Sequence, residues 1–392
     1  MSTELTTQVG ETIYLDHAAA TPLDLRVLQA MTPYFSESFF NPSSPYSPAV
    51  TVRRDVDDAR SRIARILGVR PDELIFTSGA TESINLAFHG VLDGGGSALV
   101  PSIEHHAVLA AAKLYDHHLV VPSSLGEVTP ERIQALITSD TRLVSVALAN
   151  NELGTIQPLA EIATVVRTER ERRRDAGEAT PIYFHTDASQ GAGLLELKPA
   201  KFGIDLMTLN PSKMYGPKGI GVLWASSEVN LTPLIVGGGQ EHGLRSGTEN
   251  VPAIIGFARA FELAERGRKE AVRSIGTLRD HLQVRLKQAL PDAIVTHAPH
   301  QLANFLHIAW PGLDAERIVF ILENEGVLVA TGSACAANSG TRSHVLTAIG
   351  MEPSVADGSL RLTLGKDNDS ESIERAADAI IAAVRKERER TS

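Results

Sequence analysis

Short apolar runs that alternate with helical periodicity constrain this chain more than any other feature. Glu73-Leu74-Ile75-Phe76-Thr77, Leu143 to Leu148, Ile182 to His185 and Leu206 to Leu209 each read as a strand. Between them lie helical patterns. Val52, Val56, Ala59, Ile63 and Ile66 share one face, and Gly68 supplies a stop. Leu159, Ile162, Val165 and Val166 form the apolar side of a second helix. Its tail, Arg167 to Asp175, is almost entirely charged and reads as a solvated helix end before Gly177, not as a nucleic-acid patch. Alternation of this kind implies right-handed βαβ units and an α/β fold with a mostly parallel sheet. Such sheets bind ligands beyond the carboxyl ends of their strands.

The pattern weakens after a long apolar helix beginning near Val251, and the chain closes with a helix whose core face is Ile373, Ala377, Ile380, Ile381 and Val384. Residues from about 260 onward therefore read as a smaller α/β domain. The length of 392 residues is enough for two or three domains. Lys and Arg number 37 against 47 Asp and Glu, a net charge of −10. That balance argues against sequence-independent nucleic-acid binding, which needs cations to neutralise phosphates. Cys335 is the single cysteine, so no intramolecular disulfide forms. The first residues lack the basic and apolar regions of a secretory signal, and no apolar run approaches the roughly 20 residues of a membrane span. A cytoplasmic protein without membrane or metal partners is expected.

Several segments carry candidate chemistry. Phe76-Thr77-Ser78-Gly79-Ala80-Thr81-Glu82 runs from strand to helix through a small-residue turn. Backbone N–H groups and the Ser78 and Thr81 hydroxyls there suit an anionic phosphate, and a plain helix N-cap suits the same residues. His185-Thr186-Asp187-Ala188-Ser189-Gln190 ends a strand. Asp187 is placed either to pair with a protonated pyridine nitrogen, as pyridoxal phosphate requires, or to cap the next helix. Asn210-Pro211-Ser212-Lys213-Met214-Tyr215-Gly216-Pro217-Lys218-Gly219 offers two lysines in a rigid turn, and the residues alone do not choose between Lys213 and Lys218 as a Schiff-base amine. The glycine-dense Gly237 to Thr248 loop brings backbone close to a ligand or to another subunit. Gly332-Ser333-Ala334-Cys335 sets the cysteine among small residues, where a thiolate nucleophile has access and mobility.

Together these segments resemble the cysteine desulfurases of the NifS/IscS type within the class V aminotransferases. The motifs follow family order across nearly the whole chain. They include Tyr14-Leu15-Asp16-His17-Ala18-Ala19-Ala20-Thr21-Pro22, Asn41-Pro42-Ser43-Ser44-Pro45, Glu104-His105-His106-Ala107-Val108 and Ala149-Asn150-Asn151-Glu152-Leu153-Gly154-Thr155, together with the segments above.

The resemblance implies a fold-type-I enzyme with a mostly parallel seven-stranded sheet. A large domain is expected over 16–259 and a small one over 1–15 and 260–392. It implies pyridoxal 5'-phosphate as cofactor, with Lys213 as the amine that carries it and Asp187 as the partner of the ring nitrogen. Gln190 matches the residue near the ring hydroxyl, and His105 matches the histidine that stacks on the ring and moves protons. Ala80, Thr81 and, across a homodimer interface, Thr248 match phosphate contacts, with Asn210 and Ser212 as further donors. Asn151 and Arg361 match the groups that hold the substrate carboxylate, and a planar guanidinium suits that task. L-Cysteine would then lose its sulfur to Cys335, leaving a persulfide and alanine. The sulfur would pass to an acceptor, such as an iron–sulfur scaffold or a thio-cofactor or tRNA pathway. Cys335 lies 26 residues before Arg361, similar to the branch with the longer catalytic loop.

The chain departs from the family in three places. Asn210-Pro211-Ser212-Lys213 stands where Ser-x-His-Lys is usual, and His242 stands where arginine is usual. Gly340-Thr341-Arg342 replaces Leu-Glu-Pro. The first two departures predict weaker cofactor binding, and the third altered loop motion or acceptor choice. Competing readings are another class V enzyme (an aminotransferase, or a selenocysteine or C–S lyase) and a weakly catalytic homologue kept as a binding partner.

Overall fold

Residues 12–332 and 342–391 are described by the structure, a computed structural model. Seven short strands form one sheet: β1 (Leu74–Thr77), β2 (Ser97–Pro101), β3 (Asp116–Val120), β4 (Thr141–Ser145), β5 (Tyr183–Asp187), β6 (Leu206–Leu209) and β7 (Gly221–Ala225). Their order is β1-β7-β6-β5-β4-β2-β3. The pairs β2–β3, β2–β4, β4–β5 and β5–β6 are parallel, and only β7 runs against its neighbours. The mostly parallel seven-stranded sheet expected from the sequence is therefore present. All the strands except the β3 edge are almost wholly buried, as a sheet covered on both faces requires.

Because β7 is antiparallel to both its neighbours, β1 points the same way as β6. The carboxyl ends of β1, β2, β4, β5 and β6 thus share one edge. From β2 the chain goes outward to β3, then returns to β4 on the other side. That reversal makes a switch point between β2 and β4, where the loops diverge and leave room for a ligand.

The strands read from the sequence recur with shifted ends. The run Leu143 to Leu148 pairs as β4 only from Thr141 to Ser145. Beyond it Val146 N–H still donates to His185 O (3.0 Å) and Leu148 N–H to Asp187 O (2.9 Å), so the apolar run keeps following β5. The helix read around Val52 spans Ser47–Leu67 and buries Val52, Val56, Ala59 and Ile63, with Leu67 rather than the half-buried Ile66 completing its core face. Gly68 ends it in the left-handed region, φ 75°, as its position predicts.

The charged tail of the helix Leu159–Asp175 corrects its sequence reading. Arg173 is only 2% exposed. Its guanidinium donates to the carbonyls of Thr141 (2.8 Å), Thr180 (3.2 Å) and Thr138 (2.8 Å), and to Glu169 Oε1 (2.6 Å). Its neighbours Arg172 and Arg174 do face solvent. One arginine of the run is thus an internal tie between helix, β4 and the approach to β5.

The described chain divides into two compact units. One is Thr21–Asn151 with Ile156–Lys269, and it contains the seven-stranded sheet. The other comprises 12–20, Glu152–Thr155, 270–332 and 342–391. In that second unit four antiparallel strands, β8 (Ile294–Thr296), β9 (Phe305–Ala309), β10 (Ala330–Thr331) and β11 (Ser359–Thr363), lie in the order β10-β11-β9-β8. Helices Ala315–Asn324 and Ser370–Thr391 cover the sheet, with Ile318, Leu322, Ile373, Ile380 and Val384 fully buried beside Ile308, Trp310 and Leu360. The apolar face assigned to the last helix from sequence is the one that packs.

Replacing Arg173 by alanine removes a donor from three carbonyls, the buried one of Thr141 among them, and leaves Glu169 without this partner. Arg173→Ala should lower stability by about 3–5 kcal/mol, whereas Arg174→Ala, on the exposed side, should change it by less than about 0.5 kcal/mol. Thermal or urea melts of the two variants check the difference.

Candidate active site

The shared carboxyl edge of the large sheet collects the polar residues singled out in the sequence. Asp187 is the last residue of β5, half-buried, and its Oδ1 accepts the Ser189 N–H (3.0 Å). Lys213 follows β6 in a one-turn 3₁₀ segment, Pro211–Lys213, and is also half-buried. Lys218, the other candidate, is exposed and donates to Thr21 O (2.6 Å).

His105 follows β2 and caps the helix His106–Ala112. Its Nδ1 accepts the Ala107 N–H (3.1 Å), which places the ring proton of the neutral form on Nε2. The imidazole is held below the ordinary histidine range, first by desolvation. The Asp187 charge opposes that lowering, and the charges of Lys213 and then His106 add to it. The three side chains named by the sequence therefore lie within one electrostatic neighbourhood.

The lysine turn is held by short polar side chains. Asn210 Oδ1 accepts the Ser212 N–H (2.9 Å), Thr21 Oγ1 donates to Ser212 O (2.9 Å), and Thr21 Oγ1 accepts the Tyr215 N–H (2.7 Å). Ser212 itself is buried. Tyr215 sits at φ 61°, a strained value for an aromatic residue. A Cβ on Gly216 would lie 2.5 Å from the Pro211 Cβ, so only glycine lets the turn close this tightly.

After β1, Ala80 and Thr81 open the helix Ala80–Leu92, Ala80 half-buried and Thr81 exposed. The first-turn N–H groups of such a helix lack intrahelical acceptors and face an incoming anion. Glu82 Oε2 accepts the Ser78 N–H (2.8 Å), and Glu82 Oε1 accepts from Arg245 Nε (2.8 Å). That pair ties the Gly237–Thr248 loop to the turn. A second tie joins Arg60 bidentately to Glu241 (2.6 and 2.9 Å), whose Oε2 also accepts the Phe76 N–H (2.8 Å). Between the ties Glu241 and His242 both have left-handed backbones, φ 47° and 59°. His242 and Thr248 are exposed, and Gln190 and Asn151 half-buried.

His185 lies inside the sheet, fully buried, with Nδ1 against Ser145 Oγ (2.8 Å) and Nε2 against Thr208 Oγ1 (3.0 Å). Burial pushes it down to about 4 despite the Asp187 charge, so it is a neutral tie between β4, β5 and β6.

Arg361 belongs to the second unit. It lies on β11 opposite His307 of β9, is buried, and its Nη2 donates to Asp16 Oδ1 (2.6 Å). Glu152 in the same unit accepts from Ser343 Oγ (2.5 Å); burial pushes its carboxyl up to about 7, with Ser343 and the Arg361 charge opposing. Cys335 lies outside the described residues, as does the replaced segment Gly340-Thr341. Among the described residues no cluster of histidine, cysteine or carboxylate residues suits a metal ion, and no helix is long and apolar enough to cross a membrane.

Glu104, Glu82, Arg245 and Asp16 were not assigned roles from the sequence. Glu104 and Asp16 stand inside quoted motifs. The available signal was a carboxylate set between an apolar residue and a histidine, as in Leu15-Asp16-His17 and Ile103-Glu104-His105.

The donor set at the sheet edge fits pyridoxal phosphate: an amine, a carboxylate, an imidazole and a helix N-terminus within one set of loops. The architecture is that of the fold-type-I enzymes. A NifS-like protein of known structure superposes with a TM-score of 0.87 at 32% identity, covering 95% of this chain and 99% of the other. The structure of SspA in complex with cysteine gives 0.74, also at 32% identity, over 90% of this chain and 99% of that one. Within that class, the chain belongs to the class V aminotransferase family, which it matches over residues 13–376. It is 37% identical over 386 residues to the cysteine desulfurase IscS of Methanosarcina thermophila, 96% of this chain and 93% of the relative. Enzymes of this family use pyridoxal phosphate.

Since the Asp187 charge raises the His105 pKa, Asp187→Asn should move it further down. Titration of the histidine ring signals by NMR in the cofactor-free protein checks this; an unmoved or raised value would mean that Asp187 does not act on the ring.

Proposed function

We propose that the protein is a pyridoxal-phosphate-dependent cysteine desulfurase that converts L-cysteine to L-alanine and leaves a persulfide on Cys335. The observation that carries the reading is the meeting of Lys213, Asp187 and His105 at the carboxyl edge of the sheet, where the charges of Asp187 and Lys213 both act on His105. Likeness to relatives named cysteine desulfurase and to a solved cysteine complex supports it.

The bound cofactor supplies an electron sink for the carbanion at the substrate Cα. Lys213 would be the amine that holds it, and its Nζ, when free, would take the Cα proton. Asp187 would pair with the ring nitrogen. His105 would offer its Nε2–H as a hydrogen-bond donor and would pass on a proton only from its cationic form. Gln190 would meet the ring hydroxyl, and Asn151 and Arg361 would orient the substrate carboxylate. Ala80, Thr81, Asn210, Ser212 and, from the partner subunit, Thr248 would bind the phosphate, which would make a homodimer the functional unit.

The Cys335 thiolate attacks the substrate sulfur. An S–S bond forms as the C–S bond breaks, the electron pair returns to Cβ, and two proton transfers complete alanine. The persulfide then serves a sulfur-acceptor protein in the cytoplasm, an iron–sulfur scaffold or a thiolation partner. In this reading 16–259 form the cofactor domain, and 1–15 with 260–392 carry the cysteine.

The test is L-cysteine added to cofactor-loaded protein, with alanine measured and the Cys335 peptide weighed without reductant. Alanine with one extra sulfur on that peptide is expected. Cys335→Ala should lose at least ~100-fold in alanine formation while the cofactor's visible band still responds to cysteine. Full turnover by Cys335→Ala would overturn the reading in favour of another reaction of the same cofactor.

A further inference from the structure

Glu104 is not used by the mechanism above, yet it is one of the most buried carboxyl groups of the large unit, 3% exposed, beside its catalytic edge. It sits in the turn between β2 and the helix His106–Ala112, immediately before His105. Its Oε1 accepts the N–H of Ala147 (2.8 Å), in the segment that leaves β4. A second bond runs between the same two loops in the other direction: Asn150 Nδ2 donates to Ile103 O (2.9 Å). The segment so gripped is itself fixed to β5, since Leu148 N–H donates to Asp187 O (2.9 Å). The two bonds span the switch point, where the sheet supplies no strand-to-strand ladder beyond the strand ends to hold the diverging loops.

We propose that Glu104 is a positioning residue: its carboxyl group clamps the His105 turn to the Ala147–Asn151 segment and thereby fixes His105 relative to Asp187. This rests on the desulfurase reading only for the consequence to turnover, not for the clamp itself.

The charge state follows from the surroundings. Burial, and then the charge of Asp187 on β5, push the Glu104 carboxyl up to about 8, while the Ala147 N–H pulls the other way. At neutral pH the clamp is therefore an uncharged acid. A glutamine can make the same bond to Ala147 without a charge, and an alanine cannot. The folded state also binds a proton that the unfolded chain releases in the ordinary glutamate range, so this group costs stability as pH rises from there to about 8.

Glu104→Gln and Glu104→Ala in the full chain separate these effects. Glu104→Gln should keep kcat for cysteine within about threefold at pH 7, and should lack the alkaline decline expected of the parent as Glu104 ionises near pH 8. Glu104→Ala should lower kcat about 10- to 100-fold with KM within about twofold, the pattern expected when proton transfer is misaligned but substrate binding is intact. In the cofactor-free protein the melting temperature of Glu104→Gln should rise against the parent's as pH goes from 5 to 8. Full kcat in Glu104→Ala, or equal damage in Glu104→Gln, would overturn the proposal, and so would a melting difference that does not change with pH. Should the parent make no alanine from cysteine, the desulfurase reading fails. The melting series then still decides whether Glu104 is a neutral clamp.

Discussion

A single negative charge at the end of β5 organises the residues around it. Asp187 stands where the parallel ladder β4–β5–β6 delivers its carboxyl ends, partly out of water, so its field is weakly screened. It lifts the His105 pKa against desolvation and adds to the burial that lifts Glu104. His185 feels the same charge from two residues away and still falls to about 4, because complete burial outweighs it. Three groups in the same field thus take their states for reasons that can be ranked. His185 is neutral by burial and Glu104 is neutral by burial plus repulsion. In His105 desolvation outweighs the attraction and holds the ring below the ordinary histidine range. A sheet with a second ionised carboxylate at this edge would split the charge that the site concentrates on one residue.

What the sequence made legible is the part written in local periods. The helix Ser47–Leu67 and the final helix Ser370–Thr391 announced their buried faces by spacing, and Gly68 announced a left-handed stop. The strands were legible as apolar runs, though the end of β4 was not, because Val146 to Leu148 continues the apolar pattern after ladder pairing has stopped. Arg173 was misread for a different reason. A charged run looks solvated until the acceptors are known, and its acceptors are carbonyls that the fold gathers from Thr138, Thr141 and Thr180.

The site was legible by motif where its chemistry is named by one residue, as at Lys213, Asp187 and His105. It was illegible where the chemistry is a pair. Glu82 and Arg245 are 163 positions apart, and Arg60 and Glu241 are 181 apart. No local pattern relates such partners; only the sheet order brings the turn after β1 beside the loop that follows β7. The departure at Ser212 was equally hard to weigh from sequence. In the folded turn Asn210, Thr21 and Gly216 do the bracing, and Tyr215 accepts a left-handed backbone in exchange. Shape at the lysine turn therefore does not depend on an imidazole at position 212.

The same arrangement bears on the phosphate. Position 242 lacks the family's usual fixed cation, and Arg245 does not stand in for it as a lone charge, because its guanidinium is paired with Glu82. Glu82 in turn accepts the Ser78 N–H and lies in the first turn of the helix Ala80–Leu92, where the helix dipole favours its negative charge. The salt bridge leaves this end of the site close to neutral overall. In the proposed enzyme, then, phosphate is held by directed N–H and hydroxyl donors at Ala80 and Thr81 more than by net positive charge. Binding of that kind depends on geometry, which explains why the loop is fastened twice, at Glu82 and at Glu241, around two residues with strained backbones.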